Sequence, residues 1–194
     1  MSHYFTNDPN LKNIDYVVSY DILDTKISLK SSNGIFSKEK IDKGSYYFLT
    51  ELIKLPLKGN ILDFGAGIGV IGITLNLFFK ELGVTYCEIN SKAIELIKEN
   101  LKKYNLNGNV VTSIVDISSY YDYAFLNPPI SCGKEAIYNI YKDIHKALKE
   151  DGEFYIVIRK DKGMNSHREF LLNLFKEVII VDKHKGYYIL KMTK

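Results

Sequence analysis

From residue 60 to residue 175, short apolar runs alternate with longer stretches in which apolar residues recur every three or four positions. The first pattern predicts buried strands and the second amphipathic helices. Asn60–Phe64, Gly83–Glu88, Val110–Asp116, Tyr123–Leu126 and Phe154–Ile158 read as five strands. Between the first two, Ile68–Leu82 reads as a helix stopped by Gly83. Ile94, Ile97, Leu101 and Tyr104 share one face of the next helix, capped by Asn90 or Ser91 and ended near Asn107-Gly108. Ile137, Ile140, Tyr141, Ile144 and Leu148 mark a long amphipathic helix ended by Gly152. Ser166 with Glu169 forms a capping box for a helix through Phe175.

The flanks have a different rhythm. Thr25–Ser31 alternates polar and apolar, the period of a half-buried strand. Asn33-Gly34 offers a tight turn, and Gly34-Ile35-Phe36 a return strand, so a hairpin is expected there. Asp42 can cap a helix from Lys43 or Gly44 whose apolar positions Phe48, Leu49, Leu52 and Ile53 stop before Pro56. At the other end, Val178–Val181 and Tyr187–Leu190 flank a turn at Lys183–Gly186, and strands that close pair antiparallel. The expected layout is an extension with a hairpin over residues 1–43 and one compact domain over 44–194. Its class is α/β and Rossmann-like: a mostly parallel sheet with helices on both faces. Ligands of such sheets bind beyond the C-terminal strand ends.

Composition narrows the setting. The chain has 194 residues, 46% apolar and 25% charged, an ordinary globular balance. No apolar run approaches the eighteen residues of a membrane span, and the acid-bearing start does not read as a signal peptide. Two cysteines, Cys87 and Cys132, make neither a disulfide framework nor a zinc site alone, so a reducing cytoplasm is the expected compartment. Net charge is +3 but uneven: Arg159–Lys194 carries nine Lys or Arg against four Asp or Glu. A basic end on a near-neutral domain hints at a polyanion partner, against the plainer reading of a solvated lysine-rich surface.

Two loops carry the candidate chemistry. Asp63-Phe64-Gly65-Ala66-Gly67-Ile68-Gly69 follows the first sheet strand and opens a helix. Glycines let a ligand lie against bare amides, and the helix N-terminus adds partial positive charge. Glu88, ending the next strand, is placed for ribose hydroxyls. Gly67-Ile68-Gly69-Val70-Ile71-Gly72 also fits a dinucleotide fingerprint, so the loop specifies an adenosine cofactor without saying which. Asp63, placed to meet a charged amino-acid end, and Asp116, placed for an adenine amine, lean toward S-adenosylmethionine, with S-adenosylhomocysteine as the product.

The second loop, Asn127-Pro128-Pro129-Ile130, follows the fourth strand at the same end of the sheet. Two prolines fix the backbone and remove two donors. The side-chain carbonyl of Asn127 and the backbone carbonyl of Pro128 can then grip one –NH₂ group and hold its nitrogen toward a methyl donor. A dehydrogenase has no use for this element. The four histidines (His3, His145, His167, His184) read as surface or packing residues, and the tyrosines at 120, 121 and 123 as packing. Cys132 can line the pocket, and Lys134 can meet a phosphate.

These two motifs resemble those of class I S-adenosylmethionine-dependent methyltransferases. Gly34-Ile35-Phe36-Ser37 with Lys40-Ile41-Asp42-Lys43-Gly44-Ser45, and His3-Tyr4-Phe5-Thr6 with Pro9, look like the small-methyltransferase branch that includes the RsmC-like rRNA guanine-N2 enzymes. The resemblance implies a seven-stranded sheet with an antiparallel last strand. It implies cofactor contacts at Asp63, Gly65, Gly67, Glu88, Asp116 and Asn127, with neighbours Ala66, Gly69, Ile89 and Ile117, and places Lys40 and Asp42 near that pocket. Target contacts fall on Asn127 and Pro128 as the reacting grip, with Pro129, Ile130 and Lys134 beside them. The implied partner is RNA, rRNA or the small ribosomal subunit. Ile130 stands where many amino-methyltransferases have a stacking Tyr or Phe, and the two-domain bacterial relatives are longer than this chain. A protein amide or small metabolite as substrate, and an RNA-binding module without chemistry, are the alternatives.

Overall fold

The computed structural model describes residues 15–33, 35 and 39–194. The expected return strand at Gly34–Phe36 and the family-like residues His3–Pro9 and Ser37 fall wholly or mostly outside these. A hairpin is present, with a different partner strand. Strand β1 (Asp15–Ile22) pairs antiparallel with β2 (Thr25–Ser32) through a turn at Leu23-Asp24. Val18, Tyr20 and Ile22 and, on the facing strand, Ile27 and Leu29 are all buried. That shared apolar face sets the β1–β2 pairing, and the Ile35 amide donates to the Ser32 carbonyl at 3.3 Å across Asn33-Gly34.

Helix α1 (Lys43–Leu52) begins where expected, with Asp42 Oδ2 accepting from the Ser45 amide at 2.9 Å. Then follow β3 (Asn60–Phe64), α2 (Val70–Phe78), β4 (Gly83–Cys87), α3 (Ser91–Lys103), β5 (Asn109–Val111), β6 (Tyr121–Leu126), α4 (Lys134–Ala147), β7 (Leu148–Arg159), α5 (Met164–Leu172), β8 (Glu177–His184) and β9 (Tyr187–Thr193). The seven strands after α1 form one sheet in the order β5-β4-β3-β6-β7-β9-β8. The first five run parallel, and β9 is inserted antiparallel between β7 and β8.

Alternation along the strands feeds two cores. Ile61, Phe125, Tyr155, Val157 and Ile189 face α1, α2, α3 and the hairpin. Leu62, Ala124, Leu126, Phe154, Ile156 and Leu190 face α4 and α5. A sheet covered on both faces explains why its central strands are apolar throughout.

Four elements differ from the sequence reading. Helix α2 is shorter than 68–82, because Gly69 enters it at φ +86° and the buried Asn76 amide draws in the Leu82 carbonyl (3.3 Å), folding the chain back beyond Phe78. Strand β5 stops at Val111, since Ile114 turns into the second core and its carbonyl accepts from the Ile117 amide at 2.9 Å. Leu148 is extended and opens β7 instead of closing α4. Helix α5 starts at Met164 after Gly163 (φ +86°), and Ser166 Oγ donates back to the Gly163 carbonyl at 2.9 Å instead of capping.

Candidate active site

Phe64 and Leu126 are register partners at the ends of the parallel neighbours β3 and β6. The two candidate loops therefore leave the sheet side by side, from strands about 4.8 Å apart. A Cβ built on Gly65 would lie 3.9 Å from Leu126 Cδ1.

The glycine loop is pinned from below. The amides of Gly65 and Ala66 donate to the Cys87 carbonyl at 2.8 and 3.2 Å, and Gly69 donates to Ala66 at 2.8 Å. Gly65, Gly67 and Gly69 all have positive φ (+67°, +58° and +86°), a region that costs a side-chain-bearing residue strain. A Cβ on Gly67 would meet no atom within 4 Å, whereas one on Gly69 would strike Ile73 Cδ1 at 2.7 Å. Gly69 is thus glycine for internal packing. Gly67 faces open space that the loop itself does not fill, which is the cradle a cofactor needs.

Glu88 stands at the loop's rim. Its Oε2 accepts from the Gly67 amide at 2.8 Å, and Oε1 accepts from Ile89 and Asn90 at 2.8 and 2.9 Å. The carboxylate is oriented by three backbone amides. Ile89 beside it is 61% exposed, an apolar surface open to a ligand.

Asp63 has a different placement from the one its motif suggests. It is buried, and Oδ2 accepts from the Gly72 amide at 2.8 Å. Its carboxylate lies behind the loop and holds the first turn of α2. Burial raises its pKa to about 7, against the lowering effect of the Gly72 hydrogen bond and with a further rise from the Glu88 charge. Asp116 is exposed in the turn after β5, with Ile117 half-buried next to it, since β5 ends too early to carry either. Lys40 is exposed.

Asn127 is held by groups far away in sequence. Its Nδ2 donates to Asp42 Oδ2 at 3.1 Å and to Ser45 Oγ at 3.0 Å. An ionised carboxylate only accepts, so the –NH₂ side of the amide must face Asp42 and the carbonyl oxygen must face away. Asp42 thereby does two jobs, capping α1 and fixing the Asn127 rotamer. Ser45 went unnoticed in the sequence as a site residue; its place three residues after the cap was the available signal. Pro128 is buried and Pro129 half-buried, while Ile130 is 36% exposed at the start of the 3-10 turn Ile130–Cys132. Lys134 opens α4, exposed.

Neither cysteine suits nucleophilic chemistry. Burial pushes the Cys87 thiol up to about 12, and Cys132 is raised for the same reason. His167 is buried, with Nδ1 3.0 Å from the Tyr141 hydroxyl, a packing arrangement beneath α4 and α5. Among the described residues no three His, Cys, Asp or Glu cluster as metal ligands, and no helix is long and apolar enough to cross a membrane.

A doubly covered sheet of this order, a glycine cradle at a helix N-terminus and an oriented Asn-Pro-Pro loop next to it define the class I methyltransferase architecture. The methyltransferase small domain family matches residues 26–191, and the chain belongs to that family of S-adenosylmethionine-dependent methyltransferases. The chain is 34% identical to the Bacillus subtilis uncharacterized protein YbxB, covering 99% of this chain and 98% of that one. It is 31% identical to ribosomal RNA small subunit methyltransferase C of Shewanella piezotolerans, covering 96% of this chain and 55% of that one. Among solved structures it resembles the T. thermophilus 16S rRNA guanine-N2 methyltransferase RsmC in complex with AdoMet and guanosine, at 22% identity and a TM-score of 0.80. That match covers 96% of this chain and 52% of the other, so the chain spans about half the length of the rRNA methyltransferases it matches.

Proposed function

We propose that this chain transfers a methyl group from S-adenosylmethionine to an exocyclic amine of an RNA base, guanine N2 of small-subunit rRNA. The observation that carries this reading is the Asn127 amide, turned by Asp42 and Ser45 so that Oδ1 is left as an acceptor at the end of β6, the strand paired with the one that leads into the glycine loop. The relatives named as rRNA methyltransferases support the substrate class.

The cofactor supplies an electrophilic methyl carbon on a sulfonium. The glycine loop and Glu88 hold it against the N-terminus of α2. Asn127 Oδ1 and the Pro128 carbonyl accept the two hydrogens of the target amine. An amine conjugated to a purine ring is planar and weakly nucleophilic. Two acceptors on its hydrogens draw it toward the tetrahedral form and aim its lone pair at the methyl carbon. Transfer would form the N–C bond as the C–S bond of the cofactor breaks, with the proton displaced from nitrogen leaving to water. Positioning of this kind supplies much of the acceleration, and neither thiol takes part.

Incubation with a labelled methyl donor and undermodified small ribosomal subunits, followed by nucleoside mass analysis, tests the reading. N2-methylguanosine is the expected product. Label in adenosine would overturn the base assignment, and label confined to protein would overturn the RNA assignment.

A further inference from the structure

The basic C-terminal stretch seen in the sequence is folded so that its lysines divide between the two ends of the sheet. At the end where the parallel strands begin, Lys149, Lys176 and Lys194 are engaged, whereas Lys58 and Lys80, just before β3 and β4, are exposed with no ion-pair partner among the described residues. Lys149 binds Asp122 at 2.8 Å, Lys176 lies 3.4 Å from both Glu150 and Asp151, and Lys194 Nζ donates to the Leu148 carbonyl at 2.7 Å. At the end where the strands finish, five lysines from different segments lie beside the glycine and Asn-Pro-Pro loops. Lys134, Lys160, Lys162, Lys183 and Lys185 are all exposed, and among the described residues none has an ion-pair partner. Of the acids there, Asp161 engages Arg159 at 2.9 Å and Asp182 Oδ1 accepts from the Lys183 amide at 2.8 Å, while Glu135 next to Lys134 is exposed.

These lysines come from separate segments, and backbone contacts join them. A Cβ on Gly163, next to Lys162, would sit 3.7 Å from Lys134 Cε. The Lys160 amide donates to the Gly186 carbonyl at 2.9 Å, which brings Lys160 beside the Lys183–Gly186 turn. From that turn Tyr187 leads back to the site, because its Cε1 lies 2.9 Å from where a Cβ on Gly44 would be, between Asp42 and Ser45. The unpaired cations thus form an arc that starts beside the Asn-Pro-Pro loop at Lys134 and ends at the helix that orients Asn127.

We infer that this arc, Lys134–Lys160–Lys162–Lys183–Lys185, is the docking surface for the RNA phosphates flanking the target nucleotide. The inference rests on the RNA reading of the site above. Unpaired surface cations keep their full attraction for phosphate, whereas those held by carboxylates have little left to offer. A base reaching the Asn127 grip must leave its stack, and phosphates on either side of it must then be held at the same rim.

The test compares three proteins in binding to undermodified small ribosomal subunits across a potassium chloride series. They are the wild type, the quadruple variant Lys160→Gln/Lys162→Gln/Lys183→Gln/Lys185→Gln, and the control Lys149→Gln/Lys176→Gln from the opposite end. The quadruple variant should bind about tenfold or more weakly, with a shallower salt dependence of about one phosphate contact per lysine removed. S-adenosylmethionine affinity, read by calorimetry, should stay at the wild-type value and certify the fold. The control should bind RNA as the wild type does. Unchanged affinity and salt slope in the quadruple variant, or an equal loss in the control, would overturn the arc while leaving the RNA reading intact. A wild type with no salt-dependent RNA binding would overturn both.

Discussion

Asn127 donates its side-chain amide to Asp42 across 3.1 Å, although the two residues lie 85 positions apart. The contact ties the Asn-Pro-Pro loop to the cap of α1, a helix distant in sequence that packs over β6, with Phe48 against Phe125. Asn127→Ala should leave S-adenosylmethionine binding intact and lower turnover about 10²-fold or more, the scale of a lost transition-state contact. Asp42→Ala should lower it less, about tenfold, and cost about 1 kcal/mol of stability as a lost cap. Single-turnover methylation alongside denaturant melts separates the two effects. A normal rate in Asp42→Ala would reduce that residue to a cap.

Gly67 stands at φ +58°, and a Cβ there would point into open space. Gly67→Val should abolish cofactor binding in a calorimetric titration. It should also destabilise the apo chain by about 1 kcal/mol or more through backbone strain. Retained affinity would show that the cofactor lies elsewhere.

Asp63 gives the stability a pH dependence of unusual sign. Its folded pKa, about 7, lies above the unfolded value of 3.8, so the folded chain keeps a proton that the unfolded chain has shed. The contribution is complete below the unfolded value and is lost as pH rises through about 7. Relative to Asp63→Asn, the wild type should lose about 2 to 3 kcal/mol between pH 5 and pH 8. Urea melts of both proteins at the two pH values check this. A constant difference would mean that the carboxyl is ionised throughout.

Asn100 is fully buried and works as a peptide surrogate. Its Oδ1 accepts from the Lys30 amide at 2.7 Å, and Nδ2 donates to the carbonyls of Lys30 and Ile68 at 3.1 Å each. Together with the Tyr104 hydroxyl, which bonds the Ser28 amide and carbonyl at 2.7 and 3.0 Å, this side chain ties β2 to α3, and it also anchors the glycine loop. Asn100→Leu would strand one buried and two part-buried backbone groups and should cost about 2 kcal/mol. Hydrogen exchange at the Lys30 amide should accelerate by more than the global loss explains. Unchanged melts would show that water replaces the amide there.

The sequence by itself determined the strand–helix alternation, the glycine cradle, the Asn-Pro-Pro loop and the helix capped by Asp42. Each of these rests on local physics: a periodicity, a proline, a positive φ or a capping side chain within a few residues. Other features came only with the tertiary structure. β2 pairs with β1, a strand the sequence reading did not name, because their apolar faces match and are buried together. Asp63 turned inward to Gly72, and Asp116 fell outside the strand, because the second core drew in Ile114. The same lysine-rich stretch became paired at one end of the sheet and unpaired at the other. A residue's type fixes what it can bond to, whereas its partner is fixed by which distant segments the packed sheet brings within reach.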